Sequence, residues 1–98
     1  MPAASRNNDL STGHGCFPPT PMVGNLCSKT YIEFELSGHV GSQHATHSCP
    51  PVVHPQSARA ITSGASKTNI EGSAAVRISD PIGCGDRVGQ GASKTFIE

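Results

Sequence analysis

Internal repetition constrains this chain more than any other feature, because a chain that writes one short segment three times must place three copies of one local structure. Gly64-Ala65-Ser66-Lys67-Thr68-Asn69-Ile70-Glu71 recurs as Gly91-Ala92-Ser93-Lys94-Thr95-Phe96-Ile97-Glu98, and Cys27-Ser28-Lys29-Thr30-Tyr31-Ile32-Glu33 is a third copy. From the first copy onward, Thr30, Ile32, Phe34 and Leu36 alternate with Tyr31, Glu33 and Glu35, which predicts a strand with one buried face. In the second copy Thr68, Ile70, Gly72, Ala74, Val76 and Ile78 fall on one face, and Asn69, Glu71, Ser73, Arg77 and Ser79 on the other. The inward set is small, as expected if three strands converge on a narrow axis. An ordinary β-sandwich with a duplicated hairpin also accommodates repeats. Three equivalent strands in one small chain favour a pseudo-threefold object instead.

A second, weaker triplet lies between those strands. Pro2-Ala3-Ala4-Ser5-Arg6 leads to Asp9, and Ala74-Ala75-Val76-Arg77 leads to Asp80, with Arg and Asp three residues apart in both. The middle copy is degraded: His39 takes the Arg place and Ser42 the Asp place. Each copy is followed at nearly constant distance by a residue that binds metals well. His14 lies five past Asp9, His47 five past Ser42, and Cys84 four past Asp80.

Composition explains why such ligands are needed. A 98-residue chain holds one small domain, and here only 35% of residues are hydrophobic and Trp is absent, so the core must be thin. Eleven Gly and eight Pro favour turns and short strands over helices. A staple is therefore expected, and four Cys and five His can supply it as disulfides or as metal ligands. The net charge of zero leaves no basic stripe for a phosphate backbone, so nucleic acid is not an expected partner. The N-terminus lacks the apolar stretch of a secretory signal, and no run approaches the ~20 apolar residues of a membrane span. The expected setting is a reducing cytoplasm, where Cys mixed with His points to metal more often than to disulfides.

These segments resemble the PAAR-repeat proteins, a family named for a Pro-Ala-Ala-Arg element followed by Gly-Asp. Pro2 to Asp9 and Gly72 to Asp80 match that element, and His14-Gly15-Cys16, Cys49-Pro50, His54 and Cys84-Gly85 match the family's zinc-region landmarks. The likeness covers essentially the whole chain. It departs at the insertions Ser5 and Val76, at Ser79 in place of Gly, and at Ser-Lys-Thr in place of the family's usual strand. The resemblance implies an all-β, small conical pseudo-threefold fold of short strands with a zinc near the point. It also implies a broad base that docks on the trimeric spike of a phage tail or a type VI secretion system.

The possible ligands outnumber the four that a closed zinc site takes: His14, Cys16, Cys27, His39, His44, His47, Cys49, His54 and Cys84. Register removes two. Cys27 takes the place of Ala65 and Ala92 and is expected to be a small buried residue, and His39 takes the Arg place of the second repeat. His14, His47 and Cys84 occupy one equivalent place in each repeat, so threefold folding brings them together. The family's usual three His and one Cys make His54 the fourth, with Pro50 and Pro51 fixing a turn between it and His47. Cys49 is the main competitor, for the place of His47 or of His54, which would make a Cys2His2 site, and His44 is another. Solvated loop histidines without metal are the bland alternative.

Residues 1–98 are thus expected to form a single domain without a fused effector, with one structural zinc per chain held by His14, His47, His54 and Cys84. The expected role is that of a non-enzymatic spike tip. It caps one trimeric β-helical spike protein through Thr30, Ile32, Thr68, Ile70, Thr95 and Ile97, and touches the target membrane transiently during piercing. Its expected place is the tip of a virion tail spike, assembled in the host cytoplasm, or else secretion by a type VI system. The rival readings are a zinc-dependent binding module and a small metallohydrolase. The hydrolase lacks a base, because Glu33, Glu71 and Glu98 all belong to the strand repeat, far in register from the ligands.

Overall fold

Each of the first two Ser-Lys-Thr copies opens a short hairpin arm and not the longer strand that the alternation predicts. The computed structural model of the chain describes residues 2–97. In it β2 (Tyr31–Ile32) pairs antiparallel with β3 (Glu35–Leu36), and β7 (Asn69–Ile70) with β8 (Ser73–Ala74). The reversals fall on Glu33-Phe34 and Glu71-Gly72, where the backbone is left-handed at both residues (φ 49° and 77°, then 50° and 86°). Two successive left-handed residues make the tight hairpin turn whose twist matches that of its strands. The chain therefore folds back in mid-pattern, which ends the predicted faces. Phe34, expected on the buried face, is 98% exposed, and Gly72 lies in a turn.

The third copy completes its arm differently. Phe96 bridges to Ala3, and the Ile97 N–H donates to the Pro2 carbonyl at 3.0 Å, so the N-terminal segment supplies the returning strand. Glu98 of that copy lies outside the described residues. The remaining elements are β1 (Met22–Gly24) paired with β4 (Gln43–His44), β5 (His47–Cys49) paired with β6 (Val52–His54), and one 3-10 turn at Gln56–Ala58. No α-helix occurs among the described residues. The fold is all-β, and its body measures 38 × 24 × 21 Å.

Pseudo-threefold order is written in the backbone hydrogen bonds, which come in sets of three. Cys27, Ala65 and Ala92 donate to the carbonyls of Ser37, Ala75 and Ala4 at 3.0, 2.8 and 2.7 Å. Those three acceptor residues in turn donate to Thr30, Thr68 and Thr95. Asn8, Gly41 and Ser79 donate to Met22, Ile61 and Val88, and all three donors are left-handed (φ 71°, 100° and 79°). The side chains of Met22, Ile61 and Val88 meet as equivalent residues in the core, joined by Val76 and Ile82. Gly38 stands where the other repeats carry Ser5 and Val76. A Cβ there would sit 2.5 Å from the Met22 sulfur and 2.8 Å from Val76, so the thin core has no room for one.

Both repeats have a mechanical explanation. Arg6 and Arg77 grip Asp9 and Asp80 through two side-chain hydrogen bonds each, and the same carboxylates accept the arginines' own backbone N–H at 2.8 and 2.7 Å. Ser42 does the second job for His39 at 3.0 Å, so the degraded copy keeps its turn without an ion pair. Glutamate of the strand repeat reaches across to a neighbouring copy. Glu71 accepts from the Ser28 and Lys29 backbone and from the Ser28 and Thr30 hydroxyls, while Glu33 accepts from the Lys94 backbone and from the Ser93 and Thr95 hydroxyls. Ser-Lys-Thr with Glu three residues on is thus a lock between copies.

Candidate metal centre

Two hairpins and one loop carry the His and Cys cluster. His14 and Phe17 exchange backbone hydrogen bonds at 3.1 and 2.9 Å around Gly15, whose positive φ of 56° closes the turn. His47 and His54 face each other across β5 and β6, whose connection is the Pro50-Pro51 pair, joined by a cis peptide bond. Cys84 lies in the turn that follows Ile82, whose carbonyl accepts from the Gly85 N–H at 3.0 Å.

Their ligand atoms converge. One nitrogen from each of His14, His47 and His54 and the sulfur of Cys84 all lie within 4.8 Å of one another. The Cys84 sulfur is 3.7 Å from His47 Nε2 and 3.9 Å from His14 Nε2, and His47 Nε2 is 3.0 Å from His54 Nδ1. Bonds of 2.3 Å to sulfur and 2.0–2.1 Å to nitrogen in a tetrahedron put S and N about 3.6 Å apart, so the cluster has the dimensions of such a site. Its chemistry fits as well, since three imidazoles and a thiolate make a donor set that suits a structural zinc.

The imidazoles are held from behind. His47 Nδ1 donates to the Pro18 carbonyl at 3.0 Å, and because a carbonyl can only accept, the proton sits on Nδ1 and the Nε2 lone pair faces the cluster. Burial, with the nearby Arg59 charge adding to it, holds His47 below the ordinary imidazole range and so favours the neutral form that can ligate. Phe17 stacks on His54 with ring centroids 4.1 Å apart and on His14 at 4.8 Å, fixing two rings by one apolar side chain.

The other candidates go elsewhere. Cys16 and Cys49 form a disulfide with Cα atoms 5.4 Å apart, which takes Cys49 out of competition with His54. The expectation that cysteine here serves metal more than disulfides is corrected for this pair. Cys27 is a free, buried thiol in the alanine place that the register assigned it. His44 is fully buried in the ring position that Ser11 and Ile82 share, and its Nδ1 donates to the Thr20 carbonyl at 2.8 Å. Burial pushes its pKa down, and its Nε2 has no hydrogen-bond partner among the described residues. His39 sits in the repeat turn, with its ring on the Val40 carbonyl. Thr30, Ile32, Thr68, Ile70, Thr95 and Ile97 are each half-buried at the repeat arms.

Sequence reasoning missed the residues beneath the ligands. Thr20, Arg59 and Asp86 are pseudo-threefold equivalents, accepting from the Ser11, His44 and Ile82 N–H groups through their backbone carbonyls. Arg59 and Asp86 form an ion pair at 3.2 Å with both side chains fully buried. Burial alone would raise the Asp86 carboxyl, but hydrogen bonds from Ser11, the Arg87 backbone, Thr12 and Arg59 outweigh it and hold the group below its ordinary value. The register of the repeat was the available signal, since it aligns an Arg and an Asp on one layer.

Comparison with known families adds one finding. The model of the PAAR motif matches residues 20–90 of the 98-residue chain. No curated protein matches it.

Proposed function

Because the chain belongs to the PAAR motif family, we propose that it is a non-enzymatic spike tip, which caps the trimeric β-helical spike of a contractile injection machine. The observation that carries this reading is the triplet pattern of backbone hydrogen bonds. A single chain with three equivalent edges is matched in symmetry to the open end of a true trimer, whose strand edges would otherwise be unpaired. One tip per three spike chains follows. The half-buried Thr30, Ile32, Thr68, Ile70, Thr95 and Ile97 are the contact residues of this reading. The machine is a phage tail or a type VI secretion system, and the tip meets the target membrane as it pierces.

One zinc per chain, held by His14, His47, His54 and Cys84, is the structural part of the proposal. When bound it supplies a rigid point where the chain has little core. The test is co-purification with the spike trimer. A ratio of one tip to three spike chains is expected, and Ile97→Asp should abolish it while leaving zinc content at one. Binding retained by that variant, or three tips per trimer, would overturn the capping model. A chelator-sensitive hydrolytic activity would favour the enzyme instead.

A further inference from the structure

Arg59 brings more hydrogen-bond acceptors to one guanidinium than it has protons to serve. Its Nε donates to the Ala45 carbonyl at 2.8 Å, and Nη2 to the hydroxyls of Thr20 at 2.6 Å and Ser11 at 3.2 Å. Nη1 faces three acceptors: His47 Nε2 at 2.8 Å, the Cys84 sulfur at 3.0 Å and Asp86 Oδ2 at 3.2 Å. A guanidinium has five N–H groups, and Nη1 carries two of them. Two protons thus face three acceptors, on a side chain that is fully buried.

Two of those three acceptors are ligand atoms of the metal centre. The imidazole nitrogen has a single lone pair, and it can go to Arg59 or to a metal but not to both. The cysteine sulfur has spare lone pairs, so it can bind a metal and still accept from Nη1. A metal ion that takes the His47 lone pair therefore leaves two N–H groups on Nη1 for two acceptors, Cys84 and Asp86. Binding balances the account of hydrogen bonds. The Asp86 carboxylate, equally buried, neutralises the guanidinium, so the residue does not bring an uncompensated positive charge to a cation site.

We propose that Arg59 is a positioning residue of the metal centre: its Nη1 holds His47 and Cys84 in place before the metal arrives and remains as the hydrogen-bond donor to the Cys84 thiolate afterwards. This inference rests on the metal-centre reading above. Nothing in it depends on the spike. Thr20, Ser11 and the Ala45 carbonyl aim the fork, which is why a flexible lysine of the same charge would not replace it.

Titration of the full chain with cobalt(II), followed by competition with zinc, tests this. The wild-type chain should bind one cobalt and show a sulfur-to-cobalt charge-transfer band, which Cys84→Ser removes. Arg59→Lys keeps the charge opposite Asp86 but loses the fork. It should bind about tenfold more weakly, the low end of what outer partners of metal ligands contribute. Its band should move to lower energy, because the thiolate has lost a donor, and a merely structural role would not move it. Thr20→Val loosens the fork without touching a ligand and should shift both in the same direction by less. A folded Arg59→Lys protein with wild-type affinity and band position would overturn the proposal. If that variant does not fold, an unchanged affinity and band in Thr20→Val would do so. A wild-type chain without a thiolate-to-cobalt band would instead overturn the metal-centre reading, and the role of Arg59 with it.

Discussion

The repeat arms and the His/Cys end are built on opposite rules. In the arms one bonding pattern recurs: the carboxylates of Glu33 and Glu71 each lock a Ser-Lys-Thr loop, and backbone bonds repeat around the axis at nearly constant length. At the ligand end the equivalent places carry different chemistry. His14, His47 and Cys84 follow one another, and beneath them Thr20, Arg59 and Asp86. Symmetric bonding is redundant, so losing one copy leaves the others. The ligand end has no spare copy of any part, and single changes there should cost most.

The largest effect expected is loss of the metal. Structural zinc contributes on the order of 10 kcal/mol or more in small domains, against the ~5 kcal/mol that a core of this size supplies. Cys84→Ser and His14→Ala should therefore lose most of the chain's stability and show the largest fall in melting temperature, as should the chain in a strong chelator, by the circular-dichroism melting curve. Cys27→Ala, at a buried site whose equivalents are already alanine, should melt nearly as the wild type does. Equal damage from Cys27→Ala and Cys84→Ser would erase the contrast between the two regions.

Next comes the disulfide, a second staple at the ligand end. Cys16 and Cys49 are 33 residues apart and each lies two past a ligand histidine, so the bond ties the His14 turn to the β5–β6 hairpin. The chain-entropy cost of closing such a loop predicts about 3–4 kcal/mol of stabilisation. Urea unfolding of the oxidised chain against a Cys16→Ser, Cys49→Ser double variant measures it. A midpoint that does not move would mean that the metal alone holds these loops together.

The smallest effect belongs to the arms. Backbone donation from Ser28, with the Thr30 hydroxyl and the Lys29 N–H, holds the Glu71 carboxyl at about 2, against an ordinary 4.5. A carboxyl lowered in the folded state stabilises it above the ordinary value, and that contribution fades as the pH falls from 4.5 towards 2. Carboxyl NMR shifts should place the Glu71 midpoint at the low end, and Thr30→Val should move it upward. Amide exchange at Ser28 and Lys29 should quicken in Glu71→Gln with little change in the global melt. A global collapse in that variant would show that the arms are less redundant than their repetition implies.

The sequence by itself determined the count of three, because identical segments need identical surroundings. Register also separated Cys27 from the ligands and grouped His14, His47 and Cys84, since residues at equivalent places of a threefold fold meet at one point. Tertiary structure alone decided where the strands turn. Gly72 marked one reversal, but Glu33-Phe34 carries no turn residue, and an alternating pattern reads the same whether the chain runs on or folds back. The Cys16–Cys49 pairing depends on a separation between Cα atoms that spacing along the chain does not give. Arg59 is the clearest case: the repeat register aligns it with Asp86, six residues before Ala65 and Ala92, but does not say that the two side chains are buried together. Only the packing of three repeats around it supplies the six acceptors that make its burial tolerable.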